Sequence, residues 1–578
     1  MAISKAIEQV TINIDGIELN VPRDLTVLEA AKQAGISIPT LCYHPDQDVK
    51  GVCRICVIQV EGAKTLQTSC TLKVSEGMNI RTNTPLIREV RKTNLELILA
   101  RHPKDCLECA RNLNCELQEL ANTFGIREIS FPHLKKNLLE DYSTPSIVRE
   151  PDKCILCRRC VYTCNEVQGV GLLQPINRGS ETIIGTPYEL PLSDLACALC
   201  GQCIHACPVG AITENSHIDR VWQALSSPDK HVVVQTAPAV RVSIGEEFNL
   251  APGSIVTGQL VAGLRRLGFT KVFDTDFTAD LTIVEEGSEL IERITGSKTL
   301  PLITSCSPGW IKFIEHYYPE FLPHLSSCKS PQQMFGALAK SYYAEKTGLD
   351  PKDIYVVSVM PCTAKKFEAD RPEMNDSGYQ DVDAVLTTRE LGQMLRASGI
   401  DLKKLPEENY DLPLGISTGA GAIFGATGGV MEAALRTAYE LITTEELAEL
   451  EFKDVRGLEG IKEADVQIGE LTIKLAVAHS LGNARKLLDA MKQGLADYHF
   501  IEIMACPGGC IGGGGQPIPT TNEIRAERIK AIYEVDRNMP IRKSHENPVV
   551  KELYKEYLGK PLGEKSHHLL HTSYTARF

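Results

Sequence analysis

No stretch of the 578-residue chain approaches the ~18 consecutive apolar residues that a membrane-crossing helix needs. The opening, Met1 to Val10, lacks the apolar core of a signal peptide, so a cytoplasmic location is expected. Positive charge is short as well: 61 Lys and Arg stand against 74 Asp and Glu, a net charge of −13. That balance disfavours nucleic acid and anionic membrane as partners. No Walker lysine motif is present. The glycine-rich segment 415–429 lacks a preceding strand in a βαβ context, so it reads as a turn opening a helix rather than as a dinucleotide loop. At this length several domains of ~100–200 residues are expected.

Cysteine, by contrast, is plentiful, at 20 residues. A secreted chain would use that many for disulfides; the tight Cys-x-x-Cys spacings here favour metal. Within residues 1–83, Val10–Ile14 and Ile17–Val21 flank Asp15-Gly16, a pair suited to a type I′ hairpin turn. Thr26–Ala34 reads as a short helix. Cys42, Cys53, Cys56 and Cys70 suit a [2Fe–2S] rhomb, with a longer first gap than the plant type. A zinc ribbon is the alternative for the same four residues. Residues 84–143 hold helix-like Pro85–Ala100, then His102, Cys106, Cys109 and Cys115, a donor set open to iron or to structural zinc.

Residues 144–220 carry the most specific spacing. Cys154, Cys157, Cys160 and Cys164 share the x2-x2-x3 pattern of Cys197, Cys200, Cys203 and Cys207. In two-cluster ferredoxins the fourth cysteine of each run ligates the other cluster. Cys207 is therefore expected with Cys154, Cys157 and Cys160, and Cys164 with Cys197, Cys200 and Cys203.

Residues 221–518 alternate β and α. His231–Ala237, Lys271–Asp276, Leu300–Ser305, Ile354–Met360, Val382–Thr388, Leu475–His479 and His499–Ala505 read as strands. Helix-like segments such as Gly258–Leu267 and Gly429–Thr443 lie between them, which predicts a mostly parallel sheet covered on both faces. Three apolar runs end in cysteine: Thr304-Ser-Cys306-Ser-Pro-Gly-Trp310, Met360-Pro-Cys362-Thr-Ala-Lys365 and Met504-Ala-Cys506-Pro-Gly-Gly-Cys510. Ligands of open α/β sheets bind outside the carboxyl ends of strands. Cys306, Cys362, Cys506 and Cys510 can therefore meet, and four thiolates make one cubane iron–sulfur site. Six glycines around Cys506 and Cys510 allow the backbone to approach a bulky group.

The three motifs, in this order, resemble the signatures of the iron-only, or [FeFe], hydrogenases, and the similarity covers nearly the whole chain. The front half also resembles the complex I iron–sulfur subunit. The resemblance implies a multidomain α+β and α/β chain. Its parts are a β-grasp [2Fe–2S] domain at 1–83, a histidine-ligated [4Fe–4S] domain at 84–143 and a two-[4Fe–4S] ferredoxin module at 144–220. A two-lobed α/β catalytic domain at 221–518 and a small-subunit-like wrap at 519–578 follow. It implies one [2Fe–2S] cluster, three accessory [4Fe–4S] clusters and an H-cluster. The latter is a cubane joined through a cysteine sulfur to a two-iron unit carrying CO, cyanide and a dithiolate. By motif, Cys362, Cys506 and Cys510 ligate the cubane, with Cys510 bridging, and Lys365 donates to a cyanide. Pro238, Gln332, Met360, Phe424 and Met504 wall the two-iron unit. Ala239 stands where the family often has serine, which removes one hydrogen bond to cyanide. Cys306, Glu286, Ser326 and Glu289 form a proton route towards Arg293. Without the resemblance, Glu285, Glu286 and Glu289 read as a charged helix face and Lys365 as a solvated lysine.

One position departs from the family, which usually has two adjacent cysteines where this chain has Cys306-Ser307. By position Ser307 takes the place of the fourth cubane ligand and Cys306 is the proton relay. By donor chemistry the Cys306 thiolate is the better iron ligand. These assignments use every cysteine except Cys328. The histidines of the tail are expected to be exposed or capping. The implied function is reversible reduction of protons to H2, fed by the accessory clusters. With no nucleotide site in the chain, a flavin-bearing NAD(P)H subunit, a small [2Fe–2S] subunit and ferredoxin are the implied partners. The rival readings are a complex I-like subunit that only transfers electrons and a hydrogen sensor.

Overall fold

The computed structural model describes residues 8–134, 137–296, 299–447, 449–469 and 471–577. The first seven residues, part of the stretch on which the expectation of no leader rests, lie outside these. Among the described residues no helix is long and apolar enough to cross a membrane.

The amino-terminal sheet has five strands: β1 Gln9–Ile14, β2 Ile17–Pro22, β3 Val57–Val60, β4 Gln67–Thr68 and β5 Asn79–Arg81, ordered β2-β1-β5-β3-β4. Asp15 and Gly16 both take positive φ, 52° and 91°, as the I′ turn requires. Thr26 and Glu29 form a capping box at the start of helix Val27–Gln33. That helix buries Val27, Ala30 and Ala31 in the same core as Ile12, Ile14, Ile58 and Ile80. Helix Pro85–Leu99 begins with Thr84 as cap and proline in its first turn. Two short antiparallel pairs frame the cysteine repeats: β6 Ile147–Arg149 with β9 Ile212–Glu214, and β7 Gln174–Ile176 with β8 Ile183–Gly185.

Beyond residue 220 there are two four-stranded sheets rather than the one mostly parallel sheet that the β/α alternation alone suggests; the resemblance implied two lobes. The first, ordered β11-β10-β13-β14, joins β10 His231–Thr236, β11 Lys271–Asp274, β13 Ile354–Met360 and β14 Ala384–Thr387, all parallel. The second, ordered β12-β17-β16-β15, joins β12 Leu302–Ile303, β15 Ile461–Ile468, β16 Leu471–His479 and β17 Phe500–Met504. Here β15 runs antiparallel at the edge. Period-2 alternation splits this sheet between two cores. Leu475, Val477, Phe500 and Met504 face one; Ala476, Ala478, Ile501 and Ile503 face the other. The tail is packed on the body: Arg528, in helix Asn522–Asn538, is fully buried and bonds both oxygens of Glu246 at 2.7 and 2.6 Å.

Candidate active site and metal centres

The carboxyl ends of β10, β12, β13 and β17 open onto one cavity. Cys306, Ser307, Cys362, Cys506 and Cys510 line it, each just beyond a strand. Pro238, Gln332, Met360, Lys365, Phe424 and Met504 complete its wall, so every residue assigned by motif to the cluster bed faces the same space. Ser307 does not point freely into it, since its Oγ accepts from Ala505 N at 3.2 Å. Burial pushes the Cys510 thiol up to about 12 and the Cys306 and Cys506 thiols well above their usual range. Desolvated thiols crowded together resist ionisation unless a cation compensates them. The set therefore fits an iron–sulfur group.

Lys365 is 8% exposed, which excludes the solvated-lysine reading. Its Nζ lies 2.9 Å from Glu368 Oε2 and donates to Cys306 O at 3.1 Å. The same carboxylate oxygen accepts from Gln332 Nε2 at 3.0 Å and Ser330 Oγ at 2.9 Å. Gln332 Oε1 is buried with no partner among the described residues. A group in the cavity with donors or cationic character would satisfy it.

The charged-face reading of helix Thr275–Thr295 also fails: Glu285, Glu286 and Glu289 are 0, 2 and 7% exposed. Burial raises Glu286 to about 8. Ser326 Oγ donates to Glu289 Oε2 at 3.0 Å, and Glu289 Oε1 pairs with Arg293 at 2.6 Å. After burial, the negative charge of Glu286 is the next influence raising the Cys306 thiol. Hydrogen bonds thus link Ser326, Glu289 and Arg293, and the charge of Glu286 reaches Cys306.

The two cysteine repeats interleave. Cys154, Cys157, Cys160 and Cys207 line one cavity. Cys197, Cys200, Cys203 and Cys164 line another. Burial lifts Cys154 and Cys197 to about 11. In the first domain Cys56 and Cys70 bring their sulfurs to 3.3 Å, and Cys42 bonds Cys53. His102, Cys109 and Cys115 are half-buried, His102 Nδ1 has no partner among the described residues, and Cys106 is exposed. The unpartnered nitrogen suits a metal ligand.

The glycines after Cys510 do a different job from the one expected of them. A Cβ on Gly513 would strike Pro361 O, and one on Gly514 would strike Cys200 O and Gly201. They let the Cys506–Cys510 loop lie directly on the Cys362 loop and on the second ferredoxin repeat. Gln202 Nε2 bonds Gly512 O at 2.8 Å, and Thr363 Oγ1 bonds Leu199 O at 2.9 Å across the same seam. Arg389 reinforces it, bonding Gly514 O at 2.9 Å and both oxygens of Glu214 at 2.9 and 2.8 Å.

Sequence reasoning missed Glu368, Arg389, Glu502 and His571. Glu368 stands three residues after Lys365 on helix Ala364–Ala369, a spacing that signals pairing. Glu502 accepts from Gly428 N at 2.6 Å and Met431 N at 2.7 Å, capping helix Gly429–Thr443 from a neighbouring strand. Nothing local announces that contact. The expectation for the tail histidines needs correction. His567 and His568 are exposed, but His571 is 3% exposed and bonds Ser327 and Glu285.

Residues 230–514 match the family described as iron only hydrogenase large subunit, C-terminal domain, and residues 522–577 match iron hydrogenase small subunit. Residues 8–85 match a 2Fe-2S iron-sulfur cluster binding domain. Residues 91–130 and 144–213 match the NADH-ubiquinone oxidoreductase-G iron-sulfur binding region and the NADH-quinone oxidoreductase subunit 3 ferredoxin-like domain. The NADP-reducing hydrogenase subunit HndD of Solidesulfovibrio fructosivorans is 51% identical over 98% of this chain and 99% of its own. Iron hydrogenase 1 of Clostridium pasteurianum is 44% identical over 98% and 99%. A solved variant of [FeFe]-hydrogenase HydA1 from Chlamydomonas reinhardtii superposes with a TM-score of 0.57 at 48% identity, covering 62% of this chain and 99% of that one. With three motifs around one cavity and relatives matched end to end, the chain belongs to the iron-only hydrogenases.

Proposed function

We propose that the chain is the catalytic subunit of a multimeric hydrogenase, in which protons and electrons interconvert with H2 in the cavity between the two sheets. The observation that carries this is the meeting of all three cysteine motifs, Lys365 and Gln332 around one space. The bed would hold an H-cluster through Cys362, Cys506 and Cys510. When bound, that cluster supplies the redox site at which H2 forms or splits. Lys365, steadied by Glu368, presents a cation with several donors to its anionic ligands. Pro238, Met360, Phe424 and Met504 keep water out. Ser307, held by Ala505 N, lies by the fourth cubane position. Cys306 then serves as proton relay, exchanging with Glu286, Ser326 and Glu289 in turn, with Arg293 at the outer end.

Four accessory clusters would carry electrons: a [2Fe–2S] at Cys42, Cys53, Cys56 and Cys70, and [4Fe–4S] groups at His102/Cys106/Cys109/Cys115 and the two interleaved sets. We divide the chain at 1–83, 84–143, 144–220, 221–518 and 519–578, as the sequence reading does, and place it in the cytoplasm. The outer clusters would meet a flavin-bearing NAD(P)H subunit, a small [2Fe–2S] subunit or ferredoxin; the name of the Solidesulfovibrio relative favours NADP.

The test uses the matured chain. It should show infrared bands of CO and cyanide, evolve H2 from a reduced dye, and turn over NADPH only when a flavin subunit is added. Full iron content without those bands would sink the reading, and nucleotide turnover by the flavin-free chain would sink the partner assignment.

A further inference from the structure

Glu289 has a second hydroxyl neighbour. Ser327 Oγ lies 3.4 Å from the Glu289 Oε2 that accepts from Ser326, and Ser327 N donates to that oxygen at 3.2 Å. On its other side Ser327 Oγ is 2.8 Å from Nδ1 of His571, which the C-terminal segment supplies. His571 Nε2 faces Glu285 Oε2 at 3.1 Å, and Glu285 also accepts from Tyr554 OH and Leu562 N. The ligand atoms of Glu289, Cys328 and His571 all lie within 4.8 Å of one another. The His571 ring is buried, but exposed His567 stacks on it, centroids 4.6 Å apart and planes 6° apart. Two backbone bonds fix the segment, Lys329 N to Leu570 O at 2.8 Å and Thr572 N to Ser327 O at 2.7 Å.

The Ser327 hydroxyl has one hydrogen and two acceptors, a carboxylate and an imidazole nitrogen. A hydroxyl so placed can turn from one to the other and pass a proton between them. We propose that His571 is a proton-transfer residue forming a second outlet, which leaves the main relay at Glu289 through Ser327. The proposal rests on the relay described above as far as Glu289.

During H2 oxidation, protonated Glu289 gives its proton to Ser327 Oγ as the Ser327 hydroxyl proton passes to His571 Nδ1. The imidazolium then gives its Nε2 proton to Glu285 Oε2 on the way to solvent, and the proton left on Nδ1 returns to Nε2 before the next transfer. Evolution of H2 runs the same exchanges backwards. Each group gains one proton for each it gives, and no electron moves. The second nitrogen gives His571 the two-sided form a relay needs.

The test uses the matured enzyme. His571→Gln and Ser327→Ala should each lower kcat for H2 evolution about threefold and enlarge the solvent isotope effect, while KM for the electron donor stays put. In an Arg293→Ala background, where the other outlet is impaired, either change should cost on the order of tenfold more. Ser327→Ala leaves the His571–Glu285 contact in place, so its loss does not depend on tail packing. Added imidazole should restore part of the rate of His571→Ala. The infrared carboxyl band of protonated Glu289 should shift in Ser327→Ala. Unchanged rates, isotope effects and carboxyl bands in His571→Gln and Ser327→Ala, alongside an inactive Glu286→Gln control, would overturn the branch alone. A fully active Glu286→Gln enzyme would overturn the main relay and the branch with it.

Discussion

Glu368, which does not itself line the cavity, holds Lys365 at 2.9 Å. The same oxygen collects Gln332 and Ser330, so one carboxylate sets two residues of the cluster wall. Outer partners of this kind typically affect metal affinity or activity by about 10–100-fold. Glu368→Ala should therefore lower H2 evolution by about that factor, with the infrared cyanide bands shifted and the accessory-cluster paramagnetic signals intact. Wild-type turnover in this variant would show that Lys365 needs no support.

Glu286 combines a functional demand with a stability penalty. Its pKa is about 8 in the folded chain, above the ordinary carboxyl value, so folding favours the protonated form. Its contribution to stability is complete below pH ~4.5 and is lost as pH rises through about 8. Glu286→Gln stays neutral throughout. It should lose about 10²–10³-fold in turnover. It should nevertheless be more stable than wild type at pH 8 by about 2–4 kcal/mol at the upper end, with the advantage gone at pH 4.5. Thermal unfolding at the two pH values reads the difference, and an advantage independent of pH would contradict it.

The proposed roles of Cys306 and Ser307 are different tasks on adjacent side chains, proton relay and the fourth cubane position. Ser307 Oγ is tied to Ala505 N, next to Cys506, while the charge of Glu286 bears on Cys306. Cys306→Ala should keep the H-cluster infrared spectrum and lose at least about 10²-fold in turnover. Ser307→Ala should alter the paramagnetic signature of the cubane more than the rate. A Cys306→Ala protein that fails to assemble the cluster would reverse the assignment.

Glu502 offers a structural test away from protons and electrons. Burial raises it to about 6, and the amides of Gly428 and Met431 favour its anion. Glu502→Gln puts an amide NH2 where two acceptor oxygens stand. The cost should be about 1–3 kcal/mol, seen as a lower Tm and faster hydrogen exchange at Gly428 and Met431. Exchange at wild-type rates would mean that the helix needs no cap from β17.

The parts of this molecule legible in its sequence are those whose chemistry is local. Cys-x-x-Cys spacing places sulfurs without reference to fold, and β13 spans the residues the pattern assigns to it, Ile354 to Met360. The Asp15-Gly16 turn is as local as a feature can be. Two lobes were implied by the family motifs, but the pairing of strands within each sheet was not legible, because alternating β and α fixes layers but not which strands pair across long connections. The strand expected at Leu300–Ser305 shrinks to Leu302–Ile303, the residues that pair in register with β17; Thr304 still donates to Ile501 O as the chain turns to the cavity. Glu502 and His571 were missed for the same reason: their partners lie 71 or more residues away.

The seam made by Gly512, Gly513 and Gly514 has a consequence for how the molecule could be taken apart. By sequence the front half looks detachable, a string of borrowed modules ending near residue 220. At the joint, however, one loop serves as floor for the cubane bed on one side and as roof for the Cys200 repeat on the other. The two beds are cast in one piece, so the spacing between their occupants is fixed by backbone contact and not by a hinge. A chain shortened to residues 221–578 would keep its motifs but expose the bare glycine loop, and any working enzyme of that length must line it with other residues.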